Sequence, residues 1–306
     1  MNRIERVFSC VLFGLRPTDR EEASKRRLSG RRRVTSRVFY SWSPPPRPLL
    51  PFRAASSVPS SSSAAERTLR SAYWTATRTG TYGFLSTLPL LVAYEVMIAV
   101  ANYGSGRPVR IGADVWMKQI VALLGGPAPW VLAGVVVAIG IGILVYERGS
   151  NIPLRARYFT GIIAESAVYA LVVAGIVGQM VAAVFAAWPS PQMAHDLWTQ
   201  LALSIGAGLY EELVFRVLLV GGLFLLFRWM FSGETTAYVA AAVIGAGIFS
   251  LVHYVGALGD PFALDSFTFR FLFGLALNVL FLLRGFGVAA WTHALYDIYF
   301  TLGVFG

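Results

Sequence analysis

Gly208-Leu-Tyr-Glu-Glu-Leu-Val-Phe-Arg216 places two adjacent carboxylates and an arginine inside an apolar run that extends from about Trp198 to Phe231. A run of that length is enough helix to cross a bilayer. An ion held there costs several kcal/mol unless it is paired or solvated in a cavity. The ionisable side chains of Glu211, Glu212 and Arg216 therefore require partners, and the rest of the chain must supply them.

Composition sets the class. The chain has 306 residues, 56% of them hydrophobic, and a mean hydropathy of +0.61. Soluble domains carry about 25% charged residues; this chain carries 14%. Its apolar residues come in long blocks, which predicts an all-α fold, a polytopic membrane helix bundle of about seven to eight transmembrane helices. The net charge of +10 lies in residues 1–72, which hold 15 Lys and Arg against 5 Asp and Glu, while the remainder holds 11 of each. The basic segment suits an anionic membrane surface or a targeting role, so no nucleic-acid partner is expected. The single cysteine, Cys10, excludes a disulfide framework and a cysteine metal site.

Residues 1–72 include Arg31-Arg32-Arg33, Pro44-Pro45-Pro46 and Ser60 to Ser63 without sustained periodicity, and read as a disordered basic Arg/Ser-rich tail. An organelle transit peptide has a similar composition, although Asp19, Glu21 and Glu22 count against it; a start assigned too far upstream is the third reading. The bundle is expected over 82–306, with spans at 84–102, 130–146, 159–187, 198–231, 236–256, 267–284 and 287–304. The segment 113–124 has one polar face and predicts an interfacial helix, or a shallow eighth span. Arg148, Arg155, Arg157, Arg228 and Arg284 mark one side of the membrane, and with the basic tail they put the N-terminus in the cytoplasm by the positive-inside rule. Arg107, Arg110, Lys118 and Arg270 run against that assignment. No internal repeat supports a transporter.

Residues four apart on a helix share a face, whereas neighbours diverge by about 100°. Glu212 can therefore pair with Arg216, leaving Glu211 free for chemistry with Phe215 on its own face. Among the three histidines, His195 lies in a polar loop, His253 follows Phe249 by one turn late in the fifth span, and His293 precedes Asp297 by one turn in the seventh. A carboxylate and two histidines from three spans, with an aspartate placed to orient one of them, form a candidate catalytic constellation.

Glu211-Glu212-x-x-x-Arg216, Phe249-x-x-x-His253 and His293-x-x-x-Asp297 resemble, in order, the three motifs of the CAAX prenyl protease and bacteriocin-processing (Abi) family of intramembrane proteases, which includes the type II CAAX prenyl endopeptidases. The resemblance covers 198–304, the expected catalytic core. It implies a helical bundle that cleaves peptide bonds at or within the membrane. Glu211 and His253 would activate the attacking water, and His293 with residue 297 would stabilise the oxyanion. Glu212, Arg216 and Phe249 would support the site. The family often has Asn at the last position; an ionised Asp297 donates no hydrogen bond, which favours an orienting role for it. No cofactor is favoured, but Glu211, His253 and His293 also supply a first shell for a catalytic zinc.

The resemblance further implies membrane lipid and a peptide or protein substrate, prenylated or not, as partners. A bacterial plasma membrane is the expected location, with an organelle membrane as the alternative. The competing functions are a catalytically silent scaffold or bacteriocin-immunity protein, and a proton-coupled carrier. Other polar residues in the spans carry expectations too: Glu165 lines the same cavity or pairs with an arginine, Glu95 makes a structural or cavity contact, Asn278 forms an interhelical hydrogen bond, and Tyr210, Trp291 and Tyr296 pack.

Depth poses a conflict. If every span starts at the membrane surface, Glu211 lies about 19 Å from the outer side, His293 about 9 Å from the inner side, and His253 about 26 Å from the inner side, too near the outer face to meet Glu211.

Overall fold

The structure is a computed structural model and describes residues 72–104, 108–123, 125, 128–150, 152–185, 196–256 and 259–305. Residues 1–71 of the tail expected over 1–72, and the histidine at 195, lie outside the described residues. Among the described residues all regular structure is helical: α1 (Gly80–Ala101), α2 (Gly112–Ala122), α3 (Ala128–Glu147), α4 (Ala156–Phe185), α5 (Leu197–Met230), α6 (Glu234–Val252), α7 (Leu264–Arg284) and α8 (Phe286–Thr301). The protein is a multi-pass membrane protein. Seven of the helices coincide with the expected spans, and α2 with the expected interfacial helix. By length and hydropathy five of them, α1, α4, α5, α6 and α7, are able to cross a bilayer. The apolar part of α3 is the shorter Val131–Glu147, and the 16 residues of α8 reach only about 24 Å against ~30 Å of hydrocarbon.

Burial explains why α8 needs no more length. It packs against α1, α4, α5 and α7, and its residues from Gly287 to Ala290 and from Thr292 to Ala294 are buried. It is an internal helix. The residues that let its neighbours approach are small: Ala170, Ala202, Ala241, Ala289, Ala290 and Ala294 are fully buried. Lipid tails are as apolar as leucine, so helices in a membrane associate through close packing and polar contacts. Other aliphatics point outward, among them Val92 and Val96 of α1, Val168 and Val172 of α4, and Val239 and Val243 of α6.

Polar groups pin the helix ends. The Glu147 carboxylate at the end of α3 accepts from Gly80 N (2.8 Å), Thr81 N (2.8 Å) and Thr81 Oγ1 (2.6 Å), and so satisfies donors at the start of α1. Asp196 caps α5, accepting from Thr199 Oγ1 (2.6 Å) and Thr199 N (3.1 Å), bonds that hold its carboxyl below the ordinary carboxylate range. Arg284, at the end of α7, grips Glu165 of α4 through Nε and Nη2, donates to Thr77 Oγ1 (2.9 Å) and stacks 3.9 Å from the Trp74 ring centroid. Tyr73 donates to the same glutamate (2.7 Å). Of the two roles expected for Glu165, pairing with an arginine is the one observed. Asn278 donates across to Ala242 O of α6 (3.0 Å), as expected.

The middle of α5, Ala207–Val220, is π-helical, and the i→i+4 geometry assumed from sequence needs correcting there. A π-helix bonds i→i+5 and is rare except as short bulges at functional sites. Gly208 sits in this stretch against α8: a Cβ there would lie 2.5 Å from Ala294 N and 2.6 Å from Ala290 O, both backbone atoms. No side-chain rotation relieves such a contact. Gly208→Val should separate α5 from α8 and lower stability by roughly 1–3 kcal/mol. Thermal unfolding of the purified protein in detergent or bicelles checks this, and an unchanged midpoint contradicts the packing.

Candidate active site

The close approach at Gly208 puts the next turn of α5 beside His293 of α8. Glu212 is fully buried, and its Oε1 accepts from His293 Nδ1 at 2.7 Å. The same oxygen lies 3.0 Å from Arg216 Nη1. That ion pair is not aligned as a hydrogen bond: Nε, Nη1 and Nη2 of Arg216 and Oε2 of Glu212 have no hydrogen-bond partner. Instead the guanidinium lies 4.4 Å from the centroid of the Phe249 ring, a cation–π contact. Phe249 also meets the rings of Phe215 (5.1 Å), His253 (5.1 Å) and His293 (6.2 Å). One aromatic side chain of α6 thus touches both histidines and the buried arginine.

Glu211 and His253 occupy the wetter part of the site. His253 Nδ1 is 2.8 Å from Phe249 O. A carbonyl can only accept, so Nδ1 carries a proton, and in the neutral ring Nε2 carries the lone pair. That lone pair faces Glu211 Oε2 at 4.0 Å, with side-chain exposures of 25% for His253 and 14% for Glu211. Two acceptors at this separation are too far apart for a direct hydrogen bond and suitably spaced to share a bridging water. His293 Nε2 is 3.5 Å from Asp297 Oδ2, so Asp297 flanks this imidazole from the side opposite Glu212.

Residues 193–299 match the family described as type II CAAX prenyl endopeptidase Rce1-like. That region is similar to the domain of this family. No curated protein and no solved structure matches the chain. The matched region encloses all of the residues singled out from the three motifs, namely Glu211, Glu212, Arg216, Phe249, His253, His293 and Asp297, and the structure brings them together.

The conflict over depth disappears in the structure because α5 is 34 residues long, more than one crossing needs. The relevant reference is the turn between α5 and α6. Nineteen positions separate Glu211 from Met230, and nineteen separate Glu234 from His253. In an antiparallel pair, residues equidistant from the connecting turn lie at one level, and Glu211 and His253 do so.

Sequence reasoning missed three features of this site. Glu212 holds His293 as well as Arg216; two buried charges close in space but distant in sequence leave no spacing signal. The π-helical register of α5 has no recognisable pattern. Arg110 and Lys118, which run against the orientation rule, pair with Glu95 and Asp114 at 2.8–3.4 Å, and Tyr210 next to Glu211 donates to Glu95 (3.0 Å). This network ties α2 to α1 and to the Glu211–Glu212 stretch of α5. Among the described residues no group of three or more His, Cys, Asp or Glu side chains is arranged to hold a metal ion. His293 shows why: one ring nitrogen is bound to Glu212 and the other faces Asp297, so the set Glu211, His253 and His293 does not fit a zinc in this arrangement.

Loss of one partner of a buried ion pair leaves a bare charge and costs roughly 3–5 kcal/mol. Glu212→Ala should lose stability on that scale, whereas Glu211→Gln, at a half-buried position outside the pair, should lose under about 1 kcal/mol. Parallel unfolding titrations of the two variants check the division of labour; equal losses contradict it.

Proposed function

We propose that the chain is a membrane-embedded endopeptidase that hydrolyses a peptide bond with water activated by Glu211 and His253. The observation that carries this reading is the 4.0 Å gap between His253 Nε2 and Glu211 Oε2, two acceptors opposed at the partly open end of a buried cluster. A water between them donates one hydrogen to each and keeps a lone pair for attack. Glu211 takes the proton as the oxygen adds to the carbonyl, then returns it to the leaving amine, so the carboxylate serves first as general base and then as general acid.

The developing oxyanion needs a donor. His293 Nδ1–H is committed to Glu212 (2.7 Å). Its Nε2 is held by Asp297 at 3.5 Å, longer than a normal N–H···O bond. A proton on Nε2 is therefore loosely engaged in the resting site and available to the tetrahedral intermediate. Asp297 orients the ring, and Glu212, Arg216 and Phe249 keep it in place. No step uses a metal. The similarity to type II CAAX prenyl endopeptidases supports a peptide of the CAAX type as substrate.

Purified protein offered prenylated and unprenylated peptides tests the proposal. Glu211→Gln and His253→Ala should each reduce kcat by 10²-fold or more, the scale of one acid–base group, and a chelator should leave the wild type active. Undiminished cleavage by Glu211→Gln contradicts the mechanism, and chelator inhibition reversed by zinc contradicts its metal-free form. Absence of turnover on every peptide favours the silent scaffold.

A further inference from the structure

One cation at the site has no assigned task. Arg270, in the second turn of α7, donates from Nη2 to Asp260 Oδ2 at 2.6 Å, and its guanidinium lies 5.1 Å from the Tyr254 ring centroid. Its Nη1 is buried and has no hydrogen-bond partner. Tyr254 directly follows His253, and Phe273, one turn along α7 from Arg270, meets the His293 ring at 5.2 Å. The charge of Arg270 acts on both His253 and Asp297. Arg270, 25% exposed, thus adjoins both histidines through their neighbours Tyr254 and Phe273.

Its present partner shows what it recognises. Asp260 is 47% exposed and sits in the loop after α6, where its N–H donates to His253 O (2.8 Å). A guanidinium holds a carboxylate best through two parallel N–H···O bonds. Asp260 receives one bond, from Nη2, while Nη1 keeps its donors unspent. An exposed side chain on a loop, singly bonded, is an exchangeable occupant for such a fork.

Resting on the endopeptidase reading, we propose that Arg270 anchors a carboxylate of the peptide substrate, with Asp260 holding its place until substrate arrives. The carboxylate is either the free C-terminus or an acidic side chain near the scissile bond. Arg270 is a positioning residue: it fixes which peptide bond meets the water, and Asp260 lowers affinity by competing for the fork.

The test uses one peptide sequence in three forms: free C-terminal acid, C-terminal amide, and amide with an internal aspartate. Cleavage and fluorescence-anisotropy binding are both measured for wild type, Arg270→Gln, Arg270→Lys and Asp260→Asn. A charge-assisted bond on this scale gives about ten-fold or more in affinity. The wild type should bind the free acid about ten-fold more tightly than the amide, or the internal aspartate form if the side chain is the ligand. Arg270→Gln should erase that preference while leaving affinity for the amide unchanged. Arg270→Lys should retain part of it, and Asp260→Asn should enlarge it.

Equal wild-type affinity for acid, amide and aspartate peptides overturns the anchor, as does an Arg270→Gln variant that weakens all three alike. Carboxylate-selective binding without cleavage supports the anchor and counts against the endopeptidase. Cleavage without carboxylate selectivity does the reverse.

Discussion

Glu212 Oε1 lies 2.7 Å from His293 Nδ1 and 3.0 Å from Arg216 Nη1, with all three side chains almost wholly removed from solvent. A buried ion pair is weak evidence for stability, because desolvation offsets most of its attraction. Its value here lies in direction. Glu212 Oε1 sits between the two partners, and its contact with His293 Nδ1 fixes one nitrogen of that ring. Much of the site's order follows from that bond: the orientation of His293 toward Asp297, the position of Phe249 between arginine and histidines, and the separation of a buried bracing carboxylate from a wetter one. The bond requires α5 and α8 to approach at backbone contact, which Gly208 permits.

The second constraint is level. Two side chains from consecutive membrane helices meet only if they lie equally far from the turn that joins the helices. Glu211 and His253 satisfy this around residues 231–233, and the length of α5 beyond one crossing is then no obstacle.

Much of this was legible in the sequence because the bilayer makes the signals strong. Apolar blocks separated by charged or glycine-containing segments reveal helices and turns, and an ionisable residue inside such a block is conspicuous. Glu211, Glu212, Arg216, His253, His293 and Asp297 were visible for that reason. The four-residue spacing of Glu212 and Arg216 suggested their pairing, which the structure has. What stayed hidden depends on contacts between distant segments. The bond from Glu212 to His293 spans 81 positions, and the clasp of Arg284 on Glu165 spans 119. The depth conflict arose from measuring each helix from a membrane surface, when the short turn between α5 and α6 was the better ruler. The mostly apolar sequence of α8 suggests an ordinary span; its small buried residues mark it as an internal helix.

The central claim is that Glu211 and His253 hold a single water between them, with His253 Nε2 as acceptor. An experimental structure of the protein in lipid, at a resolution that shows ordered water, tests it most directly. The account predicts one water within hydrogen-bond distance of both Glu211 Oε2 and His253 Nε2, and His253 Nδ1 still bonded to Phe249 O. A direct bond between Glu211 and His253, or a metal ion coordinated by them, would contradict it.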